Sequence, residues 1–125
     1  MIVLDAGVVI ALLNGRDAHH RAAVALLEEH PPAYLMHPLT LAEVLVGPAG
    51  AGEEQSVLDD LLSIGIEETS LGPHAALDLA RVRATYRLKM PDTCVLATAL
   101  HHALPLATFD DRLARVASAS GLSVA

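Results

Sequence analysis

Residues 1–13 of the chain read MIVLDAGVVIALL. The run Ile2–Leu4 is apolar, too short for a helix and rich in β-branched residues, which predicts a strand buried on both faces. Asp5 follows at once, and a second apolar run predicts a helix over about residues 7–14. A buried strand that ends in an acid is typical of the carboxyl edge of an open parallel sheet, where ligands bind.

Asp5 has two interpretations. Burying a carboxylate without a partner is costly, so its place beside a buried strand needs a reason. The carboxylate could accept hydrogen bonds from the first amides of the following helix, as a helix cap does. Alternatively it could be a metal ligand at the edge of the sheet. On this residue alone the cap is the favoured interpretation.

The composition predicts one globular domain over residues 1–125. Hydrophobic residues make up 53% of the chain, enough for a core and too many for a disordered segment. No apolar run reaches the length of a membrane span, and the N-terminal run lacks the basic leader of a signal peptide. A single cysteine, Cys94, excludes an internal disulfide. We therefore expect a cytoplasmic protein that makes no membrane contact.

The charge balance limits how nucleic acid could bind. The net charge is −7, so a nucleic-acid partner must be held by a local basic patch or through metal ions. Four of the eight Lys and Arg residues lie within residues 81–89, where Arg83 and Arg87 are four apart. They form either a solvated helix face or, with Arg112, a contact for an RNA backbone. Aromatic residues are only 2% of the chain, so a base-stacking platform is not expected.

Along the rest of the chain, short apolar runs alternate with segments of helical periodicity. This order predicts an α/β fold, a three-layer sandwich with a mainly parallel sheet of about five strands. Residues 47–52, rich in Gly and Pro, are predicted to form a loose linker. In the helix predicted from Pro73 to Leu88, Leu77, Ala80 and Ala84 are expected to face inward. The further predicted strands cover residues 33–36, 66–69, 104–108 and 122–124, and the further helices cover 18–30, 39–46, 53–64, 91–102 and the segment after Asp110.

Four acids stand where chemistry could occur: Asp5, Glu43, Asp92 and Asp110. The three aspartates could be helix caps, and Glu43 could be the last residue of a capping box that begins at Thr40. In a parallel sheet, however, all four would meet at one edge. Such a group repels itself, and a divalent cation such as Mg²⁺ relieves the repulsion. Carboxylate-bound Mg²⁺ or Mn²⁺ polarises phosphoryl oxygens and activates water, so the pattern indicates phosphate chemistry.

The four acids lie in stretches that carry a family resemblance. The stretches are MIVLDAGVVIALL around Asp5, LTLAEVLVG around Glu43, MPDTCVLATAL around Asp92 and PLATFDDRL around Asp110. In this order they resemble PIN-domain ribonucleases, and most of all the VapC-type toxins of toxin–antitoxin pairs. The resemblance implies a five-stranded parallel sheet and a Mg²⁺- or Mn²⁺-dependent endoribonuclease that acts on structured RNA. It also implies a small VapB-type antitoxin that blocks the site, and a homodimer.

The resemblance also implies roles for individual residues. Asp5, Glu43, Asp92 and Asp110 would be the metal ligands. Thr108 would supply a hydroxyl near the site and is predicted to help bind the substrate. One position departs from the family pattern, since many relatives carry Ser or Asn where this chain has Gly7. Asp111 could also replace Asp110 in a shifted register.

Two other functions use similar acids. One is a phosphatase-like or DNA-directed use of the same site. The other is a phospho-acceptor signalling domain, which needs two adjacent acids after the first strand and a lysine after the last core strand. This chain has a single acid at Asp5, and Phe109 and Asp110 where the lysine is needed. The seven histidines are interpreted as surface or cap residues, and Cys94 as a small core residue.

Overall fold

The computed structural model describes residues 1–125, and its centre is a parallel sheet of four short strands. The strands lie in the order β3-β2-β1-β4, so β1 is flanked on both sides. Every pairing is parallel, and Val3 pairs with both Leu35 and Leu106. The strands are β1 (Ile2–Leu4), β2 (Tyr34–Met36), β3 (Ile66–Glu68) and β4 (Leu106–Ala107). The predicted parallel α/β architecture is therefore confirmed.

The fifth strand is reduced to one bridge. The segment predicted as a strand over residues 122–124 contributes only the pair Leu106–Val124. The amide of Leu106 donates to the carbonyl of Ser123 at 3.0 Å, and the amide of Ala125 donates to the carbonyl of Leu106 at 2.9 Å. β4 is only two residues long, and on its outer side only Leu106 pairs with the C-terminal segment, at Val124.

Helices cover both faces of the sheet and enclose two hydrophobic cores. Side chains alternate along a strand, so Ile2 and Leu4 belong to one core while Val3 belongs to the other. The first core is completed by α1 (Ala6–Leu13), α2 (His20–Glu29), α3 (Pro38–Gly50) and α4 (Glu54–Ser63), and the second by α5 (Ala75–Tyr86), α6 (Met90–His102) and α7 (Asp111–Ala119). None of these helices combines the length and the apolar composition needed to span a bilayer.

Helix α3 differs from its prediction at both ends. It begins at Pro38, where the ring nitrogen of His37 accepts a hydrogen bond from the amide of Leu39. The capping box at Thr40 is therefore wrong, and Glu43 lies inside the helix. The predicted linker over residues 47–52 is also wrong, since α3 continues through Pro48 to Gly50. A proline this close to the end removes a single helical hydrogen bond, and packing against α1, α4 and α6 outweighs that loss.

Helix α5 presents a different face from the predicted one. Leu77 is 53% exposed, and no residue of α5 is fully buried. The side chains that reach the second core are those of Val82 and Tyr86. The prediction failed because alanines on several faces of α5 blur its apolar periodicity.

Candidate metal centre

Asp5 lies in the turn between β1 and α1, at the carboxyl edge of the sheet. Its amide donates to the carbonyl of Ala107 at 2.9 Å, which ties the turn to β4. One carboxylate oxygen, Oδ1, accepts from the amide of Ala6 at 2.8 Å, so Asp5 does cap α1. The other, Oδ2, accepts from the hydroxyl of Thr108 at 2.6 Å. Capping and metal binding remain compatible, because an ionised carboxylate offers about four lone-pair sites.

Asp110 is fixed beside Asp5 through the same threonine. The Thr108 hydroxyl accepts from the amide of Asp110 at 3.0 Å while it donates to Asp5. Oδ1 of Asp110 accepts from the amide of Leu113 at 2.8 Å and thereby caps α7. Asp111 is the exposed first residue of α7 and does not make this contact. Thr108 thus links the turn after β1 to the turn after β4.

Glu43 and Asp92 occupy different positions from the two caps. Asp92 is the third residue of α6, whose N-cap residue is Lys89, so Asp92 is not a helix cap. Asp92 is half-buried, whereas Glu43 is exposed on α3. The cap and capping-box interpretations are therefore wrong for these two acids.

Charge interactions connect the four carboxylates: Asp5 with Asp110, Asp92 with both of them, and Glu43 with Asp5 and Asp92. Burial raises the pKa of Asp5 most, Asp110 raises it further, and the hydrogen bonds from Thr108 and Ala6 oppose the rise. The pKa of Asp92 is raised by burial and then by the charges of Asp5 and Asp110. The pKa of Glu43 is raised by partial burial and then by Asp5 and Asp92. The structure thus brings the four acids singled out from the sequence into one acidic group.

Basic residues border this group on one side. The charges of Arg112 and Lys89 lower the pKa of Asp92 and so oppose the neighbouring acids. A guanidinium nitrogen of Arg112 donates to the carbonyl of Arg87 at 3.0 Å. Arg87 terminates α5 with a left-handed backbone (φ 54°), so it does not continue the helix as the sequence suggested. Arg83 and Arg87 still line one shallow cavity, together with Met90.

The donor set suits a hard cation. All four candidate ligands are carboxylates, and Mg²⁺ and Mn²⁺ prefer oxygen ligands. No three His, Cys, Asp or Glu side chains are already arranged as a metal-ligand set. The carboxylates repel one another, and Arg112 and Lys89 offset part of this repulsion at Asp92. The residues therefore fit a site that a divalent cation would draw together.

Two neighbouring positions add little to the acidic group. Gly7 is exposed, and a Cβ built there meets no atom within 4 Å, so this position offers Asp5 no polar support. Cys94 is fully buried, and burial raises the pKa of its thiol, as expected for an unreactive core cysteine.

One feature near the acids is not evident in the sequence. The imidazole of His19 stacks on the ring of Phe109, with centroids 4.6 Å apart and planes inclined by 14°. Phe109 lies between Thr108 and Asp110, so this stack adjoins the acidic group. The two residues are ninety positions apart, and no local pattern predicts their contact.

The comparisons with known proteins agree with this architecture. The PIN domain family matches residues 2–119. A toxin–antitoxin complex from Klebsiella pneumoniae contains a chain that is 32% identical, with 88% of this chain and 87% of that chain covered and a TM-score of 0.75. No curated protein sequence matches significantly.

Two more distant solved structures share the fold. FitAcB from Neisseria gonorrhoeae is 24% identical, with 99% of this chain and 96% of that chain covered and a TM-score of 0.69. VapC20 from Mycobacterium tuberculosis, a toxin that cleaves the sarcin–ricin loop, is 21% identical, with 98% and 96% covered and a TM-score of 0.72.

Proposed function

Because this chain belongs to the PIN domain family, we propose that it is a metal-dependent endoribonuclease, the VapC-type toxin of a toxin–antitoxin pair. The observation that carries the proposal is the acidic group at the carboxyl edge of the sheet, where burial and the charges of neighbouring acids raise the pKa values of Asp5, Glu43 and Asp92. The 32% identity to a chain of a toxin–antitoxin complex supports the biological context. VapC20 cleaves RNA, but it is only 21% identical to this chain and shows the fold alone. RNA as the substrate of this chain is therefore our own inference.

In this proposal Asp5, Asp92 and Asp110 hold Mg²⁺ or Mn²⁺, and Glu43 is either a fourth ligand or the base that takes a proton from water. A divalent cation at these residues supplies a Lewis acid for a phosphate oxygen and a more acidic water. Asp5 is oriented for this by Thr108 and Ala6, so its carboxylate needs little reorganisation. Without a cation, partial burial and the charges of Asp5 and Asp92 raise the pKa of Glu43, which places its carboxylate beside two of the proposed ligands.

Arg83, Arg87 and Arg112 would contact the RNA backbone. They are exposed, and Arg112 lies close enough to Asp92 to affect its pKa. In a protein of net charge −7, such a local basic patch is what phosphate binding requires. Thr108 would keep the acidic group in register and would not bind RNA directly.

The cleavage experiment uses a labelled hairpin RNA with Mg²⁺, with Mn²⁺ or with EDTA. We expect cleavage with either metal and none in EDTA. Asp5→Asn and Asp92→Asn should each abolish cleavage without loss of the folded state. A matched control is Asp111→Asn, because it removes an adjacent acid that is exposed at the start of α7. Undiminished cleavage in EDTA would overturn the proposal.

The basic patch has its own test. Changing both Arg83 and Arg87 to Glu should weaken RNA binding and flatten its dependence on salt. Arg81→Glu is the matched control, because Arg81 lies on α5 but lines a different cavity, with Asp78 and His101. An unchanged salt slope in the double variant would identify the patch as a solvated face.

The antitoxin would be a small VapB-type protein, and the toxin would form a homodimer. An apolar cavity of about 260 Å³ adjoins Glu43, between α1 and α3, and is lined by Ile10, Leu13 and Val44 among others. Ile10 and Leu13 are 42% and 45% exposed, which leaves apolar surface for a partner beside the acids. Purification from the native host as a free and active monomer would contradict this part of the proposal.

A further inference from the structure

The stack of His19 on Phe109 leaves one aromatic plane open. The two rings are nearly parallel and 4.6 Å apart, so the phenyl ring covers one face of the imidazole. Phe109 is partly buried and packs against the first core, which fixes its ring. His19 is exposed, so the opposite face of the imidazole remains accessible to a flat partner.

The backbone of His19 is held from both sides. Its amide donates to Oδ1 of Asp17 at 2.8 Å, and its carbonyl accepts from the amide of Ala23 at 2.9 Å. The ring of the next residue, His20, contacts the carbonyl of Ala11 at 2.8 Å and ties the start of α2 to α1. These bonds fix the backbone position of His19, and the stack on Phe109 is the contact that orients its ring.

The surroundings of the stack suit an anionic, planar ligand. Phe109 immediately precedes Asp110, so the stack lies one residue away from the acidic group along the chain. Arg16 and Arg21 are exposed on either side of His19 in the chain, and the first turn of α2 contains no acid. These cations lie on different elements from Arg83, Arg87 and Arg112. Within residues 16–21, two arginines therefore stand with one acid, Asp17, next to the aromatic surface of the stack.

We propose that the exposed face of His19 stacks on an unpaired nucleobase of the RNA substrate and so selects single-stranded nucleotides next to the cleaved bond. This inference rests on the proposed ribonuclease function. Stacking accepts any base, because every base has a π face, and it excludes paired bases, whose faces are covered by their neighbours. The sequence suggested no such platform because aromatic residues are scarce, and the structure supplies one by pairing a single phenylalanine with a histidine.

The protein contains no tryptophan, which allows a direct optical test. His19→Trp places the only indole of the variant on Phe109, and a base that stacks on it should quench its fluorescence. The measurement uses a twelve-nucleotide single-stranded RNA and a blunt twelve-base-pair RNA duplex, in an Asp92→Asn background that prevents cleavage. We expect quenching by the single strand and little by the duplex. His101→Trp is the matched control, because His101 is exposed near the opposite end of α6 from Asp92.

Binding affinities separate stacking from charge. Loss of one base–aromatic stack by substitution with alanine weakens binding by about 5- to 150-fold. His19→Ala should show a loss in this range for the single strand, while His19→Phe, which keeps an aromatic plane and has no ring nitrogen, should restore binding. An equal loss in both variants would overturn the stacking role, and so would unquenched His19→Trp fluorescence while RNA is bound. Failure of every variant and of the wild type to bind RNA would overturn this inference and the proposed function together.

Discussion

Thr108 is the residue through which the two capping aspartates of the acidic group are connected. Its hydroxyl donates to Asp5 and accepts from the amide of Asp110, so one oxygen atom serves both turns. Valine has the same shape but lacks both hydrogen bonds. Thr108→Val should lower the free energy of unfolding by about 1–3 kcal/mol, the cost of leaving buried polar groups unpaired. It should also reduce RNA cleavage, because Asp5 loses its orientation.

Urea denaturation and the cleavage assay measure the two effects. Thr108→Ser is the control, since serine keeps the hydroxyl and should restore most of both properties. If Thr108→Val is as stable as the wild type, the hydroxyl contributes nothing to the link between the turns.

The hydroxyl of Thr40, on α3, differs from that of Thr108 because it makes no hydrogen bond. It is 1% exposed, and its hydroxyl is the one buried side-chain polar atom without a hydrogen-bond partner. Thr40→Val removes this unpaired group at constant shape and should raise the free energy of unfolding by about 1 kcal/mol. Thr98 is the matched control, because it is equally buried in α6 but its hydroxyl donates to the carbonyl of Cys94 at 2.7 Å. Thr98→Val should therefore not be stabilising, and equal urea midpoints for the two variants would contradict this account.

At the scale of the elements, helix α3 depends on a titratable cap. The ring of His37 accepts the amide hydrogen of Leu39, which requires the neutral imidazole. Burial lowers the pKa of His37 below its ordinary 6.5, although the charge of Glu68 opposes this. A lowered histidine pKa contributes stability that is present above 6.5 and is lost as the pH falls through the folded-state value. This contribution of His37 should lower the melting temperature as the pH is lowered from 7.5 toward 5. Protonation of Asp5, Glu43 and Asp92, whose pKa values are raised, acts in the opposite direction, so the effect of His37 is measured as a difference between variants.

Asparagine isolates the contribution of this cap. Asn is a good N-cap residue and does not titrate in this range. His37→Asn should thus match the wild type near pH 7.5 and lose less stability at pH 5. Parallel pH profiles for the two proteins would show that His37 does not account for the loss.

Local patterns predicted the elements well where packing and periodicity agree. The run Ile2–Leu4 is buried on both faces, and α6 has Pro91 in its first turn and its apolar residues inward, as their sequences indicate. Predictions failed where tertiary packing decided the outcome. Helix α3 continues through Pro48, and α5 packs through Val82 and Tyr86. The single bridge at Val124 depends on the length of β4, which the sequence does not reveal.

In the candidate site too, local patterns predicted some features, and contacts between distant residues decided the others. The sequence singled out the four acids because each was expected to follow a strand or to lie in the first turn of a helix, and parallel strands end at one edge. Glu43 lies instead in the second turn of α3. The contact of Thr108 with Asp5 joins residues 103 positions apart, so only the family resemblance suggested it. The stack of His19 on Phe109 had no signal at all, since neither residue stands in a recognisable motif.

At the scale of the whole molecule, the acidic group is a stability cost that a cation would convert into a stability gain. Like charges in a partly desolvated cleft repel, and the raised pKa values of Asp5, Glu43 and Asp92 reflect that repulsion together with burial. If the acids hold a divalent cation, metal should stabilise the fold by mass action. The gain is about 2.7 kcal/mol when free metal is a hundredfold above its dissociation constant.

Asp92→Asn should therefore have two opposite effects. Without metal, the variant should melt at a higher temperature than the wild type, because one repelling charge is gone from a half-buried position. With Mn²⁺, its further rise in melting temperature should be smaller than that of the wild type, because one ligand is missing. Asp92 lies inside α6 and is not its N-cap, so a change in capping does not explain either effect. Melting curves of the wild type and of Asp92→Asn, each in EDTA and in Mn²⁺, give the four melting temperatures that are compared. Asp111→Asn is the control for loss of a nearby negative charge. An identical Mn²⁺ shift in Asp92→Asn and wild type would mean that Asp92 is not a ligand, and the acidic group would then bind metal, if at all, through the other three carboxylates.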